Sequence, residues 1–367
     1  MVEPIYVPVL PTRRGALRAY EGLDARVRRR IAPLWTVVPR TGLERTRGVP
    51  AAPAPDPDGD QAELARWLTP RMDELIAVMG GRPGWVDAAH AEGDVHGAAV
   101  SLWRPATRSA LRLVTGPERH PALQRHTADL AFRSGRGIGI RVLADTQDEP
   151  RPAELLNLLD RLCLPPSRTD LILDIGAVTD AGEAVKTAIT ALDLLGELVP
   201  WRTVVLTSGA FPRTDDGPAT AVRRVTPRHD WQLHGAVRLA RPAFPRRVLY
   251  GDYSTEHPFN VNIPQSREHG PPWGTMRYTT RDGFLVGRAP TRDTARVDRI
   301  DRVRATARWI VRSDAFRGPG HSEGESWLHT CAHGHGSNGS GNAETWNRVG
   351  HIQHMSFVVN EIVGGGD

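Results

Sequence analysis

A (β/α)8 TIM-like barrel is the fold class the sequence predicts, and three observations lead to it. Eight short runs of β-branched and aliphatic residues recur along the 367 residues. Most gaps between them have room for an amphipathic helix, and most runs stop at Gly, Pro or a polar residue, as parallel strands do. The chain also exceeds the roughly 250 residues of a plain barrel. The surplus is assigned to long loops, a β-hairpin and a C-terminal helical extension. The expected division is a barrel over residues 1–255, with the hairpin and C-terminal helices over 256–367 packed on it.

The expected strands are Tyr6–Leu10, Pro33–Val38, Trp85–Ala88, Leu111–Thr115, Gly137–Leu143, Leu171–Ala177, Thr203–Ser208 and Val248–Gly251. After the first, Leu17, Tyr20, Leu23, Val27 and Ile31 fall at helical steps, the stripe of a helix packed on a sheet. The segment 41–60 is too rich in proline to be helical and reads as a loop over the carboxyl end of the second strand. Helices are expected over Gln61–Val78, Pro121–Arg133, Pro152–Cys163 and Ala181–Leu198, and around His229–Leu239 within a longer excursion, Phe211–Arg247. Beyond the last strand, Thr275–Thr280 and Gly283–Gly287 read as a hairpin turned by Arg281 and Asp282. Two helices follow, near 322–333 and 344–363, separated by a Gly/Ser/Asn loop.

The composition narrows the function classes. Hydrophobic residues make up 40% and charged residues 24% of the chain, and the mean hydropathy is −0.38, which suits a globular core in water. No apolar stretch approaches the roughly 20 residues of a membrane span. The N-terminus lacks the basic region and apolar run of a secretory signal, so no membrane and a cytoplasmic location are expected. The two cysteines, Cys163 and Cys331, form no Cys-x-x-Cys pair and read as buried apolar residues. The single lysine, Lys186, falls on a helix, which excludes a Schiff base inside the barrel. The pI of about 9.7 reflects arginines scattered among acids, which argues against a striped duplex-binding face.

A barrel of this kind keeps its working residues at the carboxyl ends of its strands. Those ends carry Thr12 and Arg13, Arg40, Asp87 and His90, Thr115, Arg141, Asp174, Thr207 and Ser208, then Asp252 and Tyr253. Carboxylates from three strands, Asp87, Asp174 and Asp252, form a candidate set for a divalent metal such as Mg2+. Arginines beside them suit a phosphate or carboxylate in bidentate fashion. The histidines divide into His329, His333 and His335, and His351 with His354. The first two sit four apart without the glutamate of a zinc-protease helix, so capping or interior roles explain them as well as a metal does. No phosphate loop, dinucleotide fingerprint or serine-nucleophile elbow occurs.

Several phrases taken together resemble the phage and prophage beta protein family. They are Tyr6-Val7-Pro8-Val9-Leu10 with Gly15-Ala16-Leu17, Ile31-Ala32-Pro33-Leu34, Ser208-Gly209-Ala210-Phe211-Pro212, and Pro227-Arg228-His229-Asp230-Trp231. Gly251-Asp252-Tyr253 with His257-Pro258, Arg277-Tyr278-Thr279, Trp346, His351 and His354 complete the set. The first strand departs from the family pattern, since Pro11-Thr12-Arg13-Arg14 stands where lysine-bearing sequence is common. The resemblance implies a setting of phages, prophages and antiviral defence, and no particular reaction.

Strand ends and resemblance together give one leading expectation, a protein whose upper face binds a phosphate-bearing ligand, a nucleotide or a nucleic-acid end, and hydrolyses a phosphoester with metal help. Asp174, Asp252 and His257 would be catalytic; His257 or His90 would move a proton. Arg141, Ser208, Tyr253 and Arg277 would bind the ligand, and Asp87, Asp174 and Asp252 would hold the metal. The rival expectation is a non-catalytic binding or immunity module that holds a protein partner through its upper-face loops.

Overall fold

The computed structural model describes residues 3–38, 59–93, 95–144, 151–213, 223–245, 247–262, 273–291, 296–334 and 339–364. The expected loop over 41–60 therefore lies almost wholly outside the described residues, as do Arg40 and His335. The eight expected strands are all present and close into one parallel barrel. They are β1 (Tyr6–Pro11), β2 (Leu34–Thr36), β3 (Gly84–Asp87), β4 (Leu111–Thr115), β5 (Ile138–Leu143), β6 (Thr169–Ala177), β7 (Thr203–Gly209) and β9 (Val248–Asp252). β9 pairs with both β7 and β1, which seals the ring. Between β7 and β9 runs β8 (Arg223–Pro227), which takes no part in it.

Alternation along each strand decides which side chains enter the barrel. Val7, Val9, Leu34, Trp85, Val114, Ile172, Val205 and Leu249 meet in one buried cluster on the axis. Trp85 is the largest of these, and Gly139 makes room for it: a Cβ there would stand 2.8 Å from the indole Cδ1. Below this layer the buried Asp170 accepts from Trp85 Nε1 at 2.9 Å and is ion-paired with Arg112 and Arg202. The upper layer is set by the same parity. Asp87, Arg141, Asp174 and Thr207 point in, whereas Tyr6, Tyr250, Ser208 and Asp252, each one step out of phase, point outward.

Helices α1 (Arg14–Glu21), α2 (Ala25–Arg28), α3 (Gly59–Met79), α4 (Val95–Arg108), α5 (Pro121–Ser134), α6 (Pro152–Leu162), α7 (Ala181–Ala191) and α8 (His229–Ala240) surround the strands. The single helix expected after β1 is two, broken where Asp24 caps α2 by accepting from Arg26 N at 2.7 Å. Cys331 is buried as expected; Cys163, at φ 51° at the end of α6, is exposed.

Beyond β9 come α9 (Pro258–Asn262), β10 (Trp273–Thr279), β11 (Gly283–Pro290), α10 (Arg296–Val311), α11 (Glu323–His333) and α12 (Ala343–Gly364). The expected hairpin, β10 and β11, is antiparallel, and β8 adds to it as a third strand in the order β10-β11-β8. The excursion before β9 thus joins the extension after it. α12 supplies the helix that a barrel places after its last strand. Its Ile352, Met355, Val358 and Val359 share a core with Tyr6, Tyr20 and Tyr250, so it lies outside β9 and β1. No helix among the described residues is long and apolar enough to cross a membrane.

Candidate functional site

The inward carboxylates of β3 and β6 meet at the barrel mouth, and a guanidinium joins them. Arg141 Nη1 donates to Asp87 Oδ2 at 2.7 Å, while its Nε and Nη2 donate to Asp174 Oδ2 at 2.9 and 2.5 Å. Tyr253 closes the group, accepting from Arg141 Nη2 at 2.7 Å and donating to Asp174 Oδ2 at 2.5 Å. The remaining oxygens are also occupied. Asp174 Oδ1 accepts from Gly176 N at 2.9 Å, and Asp87 Oδ1 accepts from Ala89 N at 3.0 Å and from Arg119 at 3.2 Å. Burial pushes the Asp87 carboxyl upward, but Arg119 and Arg141 outweigh it and bring it down to about 2. Burial likewise opposes the charge on Arg141, yet Tyr253, Asp174 and Asp87 hold its pKa well above the usual range. Bidentate and charge-assisted bonds of this kind are the strong ones. The mouth is a self-neutralised plug.

Glu92, just beyond β3, was not a candidate in the sequence because neither a strand end nor a motif marks it. Its oxygen lies 3.6 Å from Arg119, and burial pushes its carboxyl up to about 7 against the pull of that arginine.

Asp252, expected in the mouth, faces the other way. Parity along β9 puts Gly251 inside, where a Cβ would meet Thr207 at 2.9 Å, and turns Asp252 toward α12. There its Oδ1 accepts from Tyr6 OH at 2.5 Å and Ser254 N at 2.8 Å; its Oδ2 accepts from Tyr250 OH at 2.7 Å and meets His354 Nε2 at 2.9 Å. A carboxylate only accepts, so His354 Nε2 carries a proton toward Asp252, and its Nδ1 lies 2.8 Å from Thr279 Oγ1. Burial raises the Asp252 carboxyl, but His354, Arg228 and Tyr6 bring it down to about 2. Asp87, Asp174 and Asp252 therefore do not share a cavity, and the expected three-carboxylate metal set is not assembled. Among the described residues no cluster of His, Cys, Asp and Glu has the arrangement of a metal site.

The other candidates separate in the same way. Ser208 points outward and is buried. His257 Nδ1 accepts from Phe259 N at 3.1 Å, capping α9, and His90 is exposed on the turn after β3. His333 Nδ1 bonds the carbonyl of His329 within α11.

Arg277 lands somewhere of more interest. On β10, under α12, it lies 3.6 Å from Glu256 Oε1, and Glu256 also accepts from Asn347 Nδ2 at 2.9 Å. Burial raises the Glu256 carboxyl, yet Arg277, His351 and Arg13 together keep it below its ordinary value. Five buried polar atoms here make no hydrogen bond: Arg277 Nε and Nη1, His351 Nε2, Asn347 Oδ1 and Thr255 Oγ1. His351 Nδ1 meets Ser254 Oγ at 2.8 Å, and its Nε2 is 3.8 Å from Glu256. Burial drives the His351 imidazole down to about 3 despite Glu256, so it is neutral. Ser254, His351 and Glu256 echo a hydrolase triad, but Ser254 is 1% exposed and sits at φ 53° in a turn that Asp252 fixes. The serine belongs to that turn rather than to an attacking position.

Together these features define a (β/α)8-barrel protein with a closed ionic mouth and an incompletely hydrogen-bonded polar cluster beside its last strand. The chain belongs to the Beta protein family, whose model matches residues 6–360. No curated protein and no solved structure matches it.

Proposed function

We propose that the protein binds a phosphate-bearing ligand, a nucleotide or a nucleic-acid end, in the polar pocket between the end of β9, β10 and α12, with Arg277 as the anchoring cation. One observation carries this reading: buried Arg277 makes no hydrogen bond through Nε or Nη1, the latter having only the ion-pair contact with Glu256 at 3.6 Å, and three other buried polar atoms beside it also lack a hydrogen bond. A buried donor left unsatisfied costs about 1–3 kcal/mol, and an anion presenting several acceptor oxygens removes that cost. Arg277 and Arg13 both act on Glu256 electrostatically, so positive charge surrounds the cluster, which suits a phosphate.

Metal-assisted hydrolysis draws no support from this geometry. The oxygens of Asp87 and Asp174 already serve two guanidiniums, a tyrosine and two backbone amides, and Asp252 is bonded on the outer side of the strand. Binding without turnover is thus the favoured form, and it is compatible with the rival reading of an immunity module in phage conflict. Mg2+ enters as a companion of the ligand's phosphates.

The test is a melting-temperature series with inorganic phosphate, AMP and a 5′-phosphorylated oligonucleotide, each with and without Mg2+, on the wild type and on an Arg277→Met/Glu256→Gln variant that removes both charges together. A ligand at 100 times its Kd stabilises by about 2.7 kcal/mol. Phosphate should raise the wild-type melting temperature and leave the variant unmoved. No rise, or an equal rise in both, defeats the reading.

A further inference from the structure

A further cavity lies away from the mouth. It is a cleft of about 1110 Å³ on the flank of the barrel, between α8, the segment leading into β9, and the C-terminal part of α12. Its origin is topological. α8 covers β7, while α12 leans over β1 against α1, so the lower half of β9 between them is left without a helix of its own. Ile5, Val248 and Tyr250 form its floor.

The walls combine two chemistries. Trp231, Phe244 and the ring of Tyr250 supply aromatic surface, and Arg238, Arg241, Arg247 and Arg281 supply guanidiniums. Two of the four are committed: Arg241 pairs with Asp193 and Arg281 with Glu361. Arg238 and Arg247 have no ion-pair partner among the described residues, and both are exposed. Both line the cleft together with His234, whose protonation they oppose. Burial and these two arginines, against one hydrogen bond to the Val248 backbone, bring its imidazole down to about 4. His234 Nε2 has no partner and lines the cleft. A neutral imidazole nitrogen, two uncommitted guanidiniums and aromatic walls thus share one space, with Asp282 the carboxylate facing them from the hairpin turn.

We propose that this cleft is a second binding site, for a nucleoside phosphate whose base lies against the aromatic wall and whose phosphate meets Arg238 and Arg247. Stacking on an aromatic ring tolerates any base, and arginine next to such a ring tracks the phosphate. His234 Nε2 offers a hydrogen bond to the base edge. The volume lies just above the roughly 300–1,000 Å³ of small-molecule sites, so both a free nucleotide and the end of an oligonucleotide fit. The site does not depend on Arg277.

The experiment is calorimetric titration of the full chain carrying Arg277→Met and Glu256→Gln, so that the pocket at β10 is disabled. AMP, a 5′-phosphorylated tetrathymidylate and inorganic phosphate are titrated in turn. AMP or the tetranucleotide should bind at least tenfold more tightly than phosphate, and adding Arg238→Glu and Arg247→Glu should weaken that binding at least tenfold with the melting temperature preserved. Binding of AMP assigns the site to free nucleotides; binding of the tetranucleotide alone assigns it to nucleic-acid ends. Equal affinity for phosphate and AMP, retention of affinity after the charge reversals, or no binding of either nucleotide at millimolar concentration would overturn the proposal.

Discussion

The barrel mouth and the seam between β9 and α12 bury charges to a similar depth and complete them to different degrees. In the mouth, Asp87, Arg141, Asp174 and Tyr253 account for one another, and backbone amides take the remaining carboxylate oxygens. In the seam, Asp252 is equally well served by Tyr6, Tyr250, Ser254 and His354, but a few residues on, Arg277, His351, Asn347 and Thr255 leave polar atoms without a hydrogen bond. A network that saturates itself holds a fold together and has nothing left for a ligand. The unsaturated one is where binding is to be sought, even though it stands away from the barrel axis.

The sharpest way to break this contrast is to remove Arg141. Arg141→Met strands Asp87 and Asp174 in a dry interior and should destabilise the protein by about 3–5 kcal/mol, as loss of one partner of a buried ion pair does; urea denaturation measures it. A loss below about 1 kcal/mol would mean that the mouth is wetter than its burial suggests. Next in size, Asp252→Asn keeps the shape but gives up an acceptor to Tyr6, Tyr250 or His354, for roughly 1–3 kcal/mol. The Arg277→Met/Glu256→Gln variant should lie within about 1 kcal/mol of wild type in the absence of ligand, because it removes unsatisfied atoms along with the pair. A loss as large as that of Arg141→Met would place Arg277 with the structural charges.

The contrast also shows in pH dependence, where the two regions have opposite signs. His351, held down to about 3, gives stability that is present above its unfolded value of 6.5 and is lost as pH falls toward 3. Glu92 beside the mouth, raised to about 7, gives stability that is present below 4.5 and is lost as pH rises through 7. Relative to wild type, His351→Asn should flatten the acid limb of the melting-temperature profile and Glu92→Gln the neutral limb. If either variant changes the other's limb instead, the assignment of those groups is wrong.

Much of the fold was legible because hydrophobic period and strand punctuation are local properties. All eight barrel strands read out, as did the hairpin and the last two helices. What escaped was either locally ambiguous or set by distant partners. α4 carries Pro105 in its interior, and β8 is the exposed run Arg223-Arg224-Val225-Thr226-Pro227, a strand only because β11 lies beside it. α10 hides its stripe of Ile300, Val303, Ala307 and Ile310 among arginines and aspartates, although the three- and four-residue steps were there to be found.

Asp87, Arg141, Asp174 and Tyr253, read from strand ends, do meet at the mouth. Asp252 was misplaced because a strand end tells where a residue lies along the axis, and a shift of one residue decides which face it takes. Counting inward positions from the apolar Val205 and Leu249 would have turned it outward. Glu256, Asn347 and the orphaned atoms around Arg277 depend on how α12 docks on β10, which no local pattern encodes.

That docking has a consequence for the order in which the chain acquires its shape. Tyr6 on β1 receives its partner from Asp252, 246 residues later, and both are covered by His354 and the rest of α12, a further 102 residues on. Synthesis at ~5–20 residues per second puts roughly 5–20 s between β9 and α12. For that interval the newly closed ring carries an uncovered stripe of two tyrosines and a carboxylate.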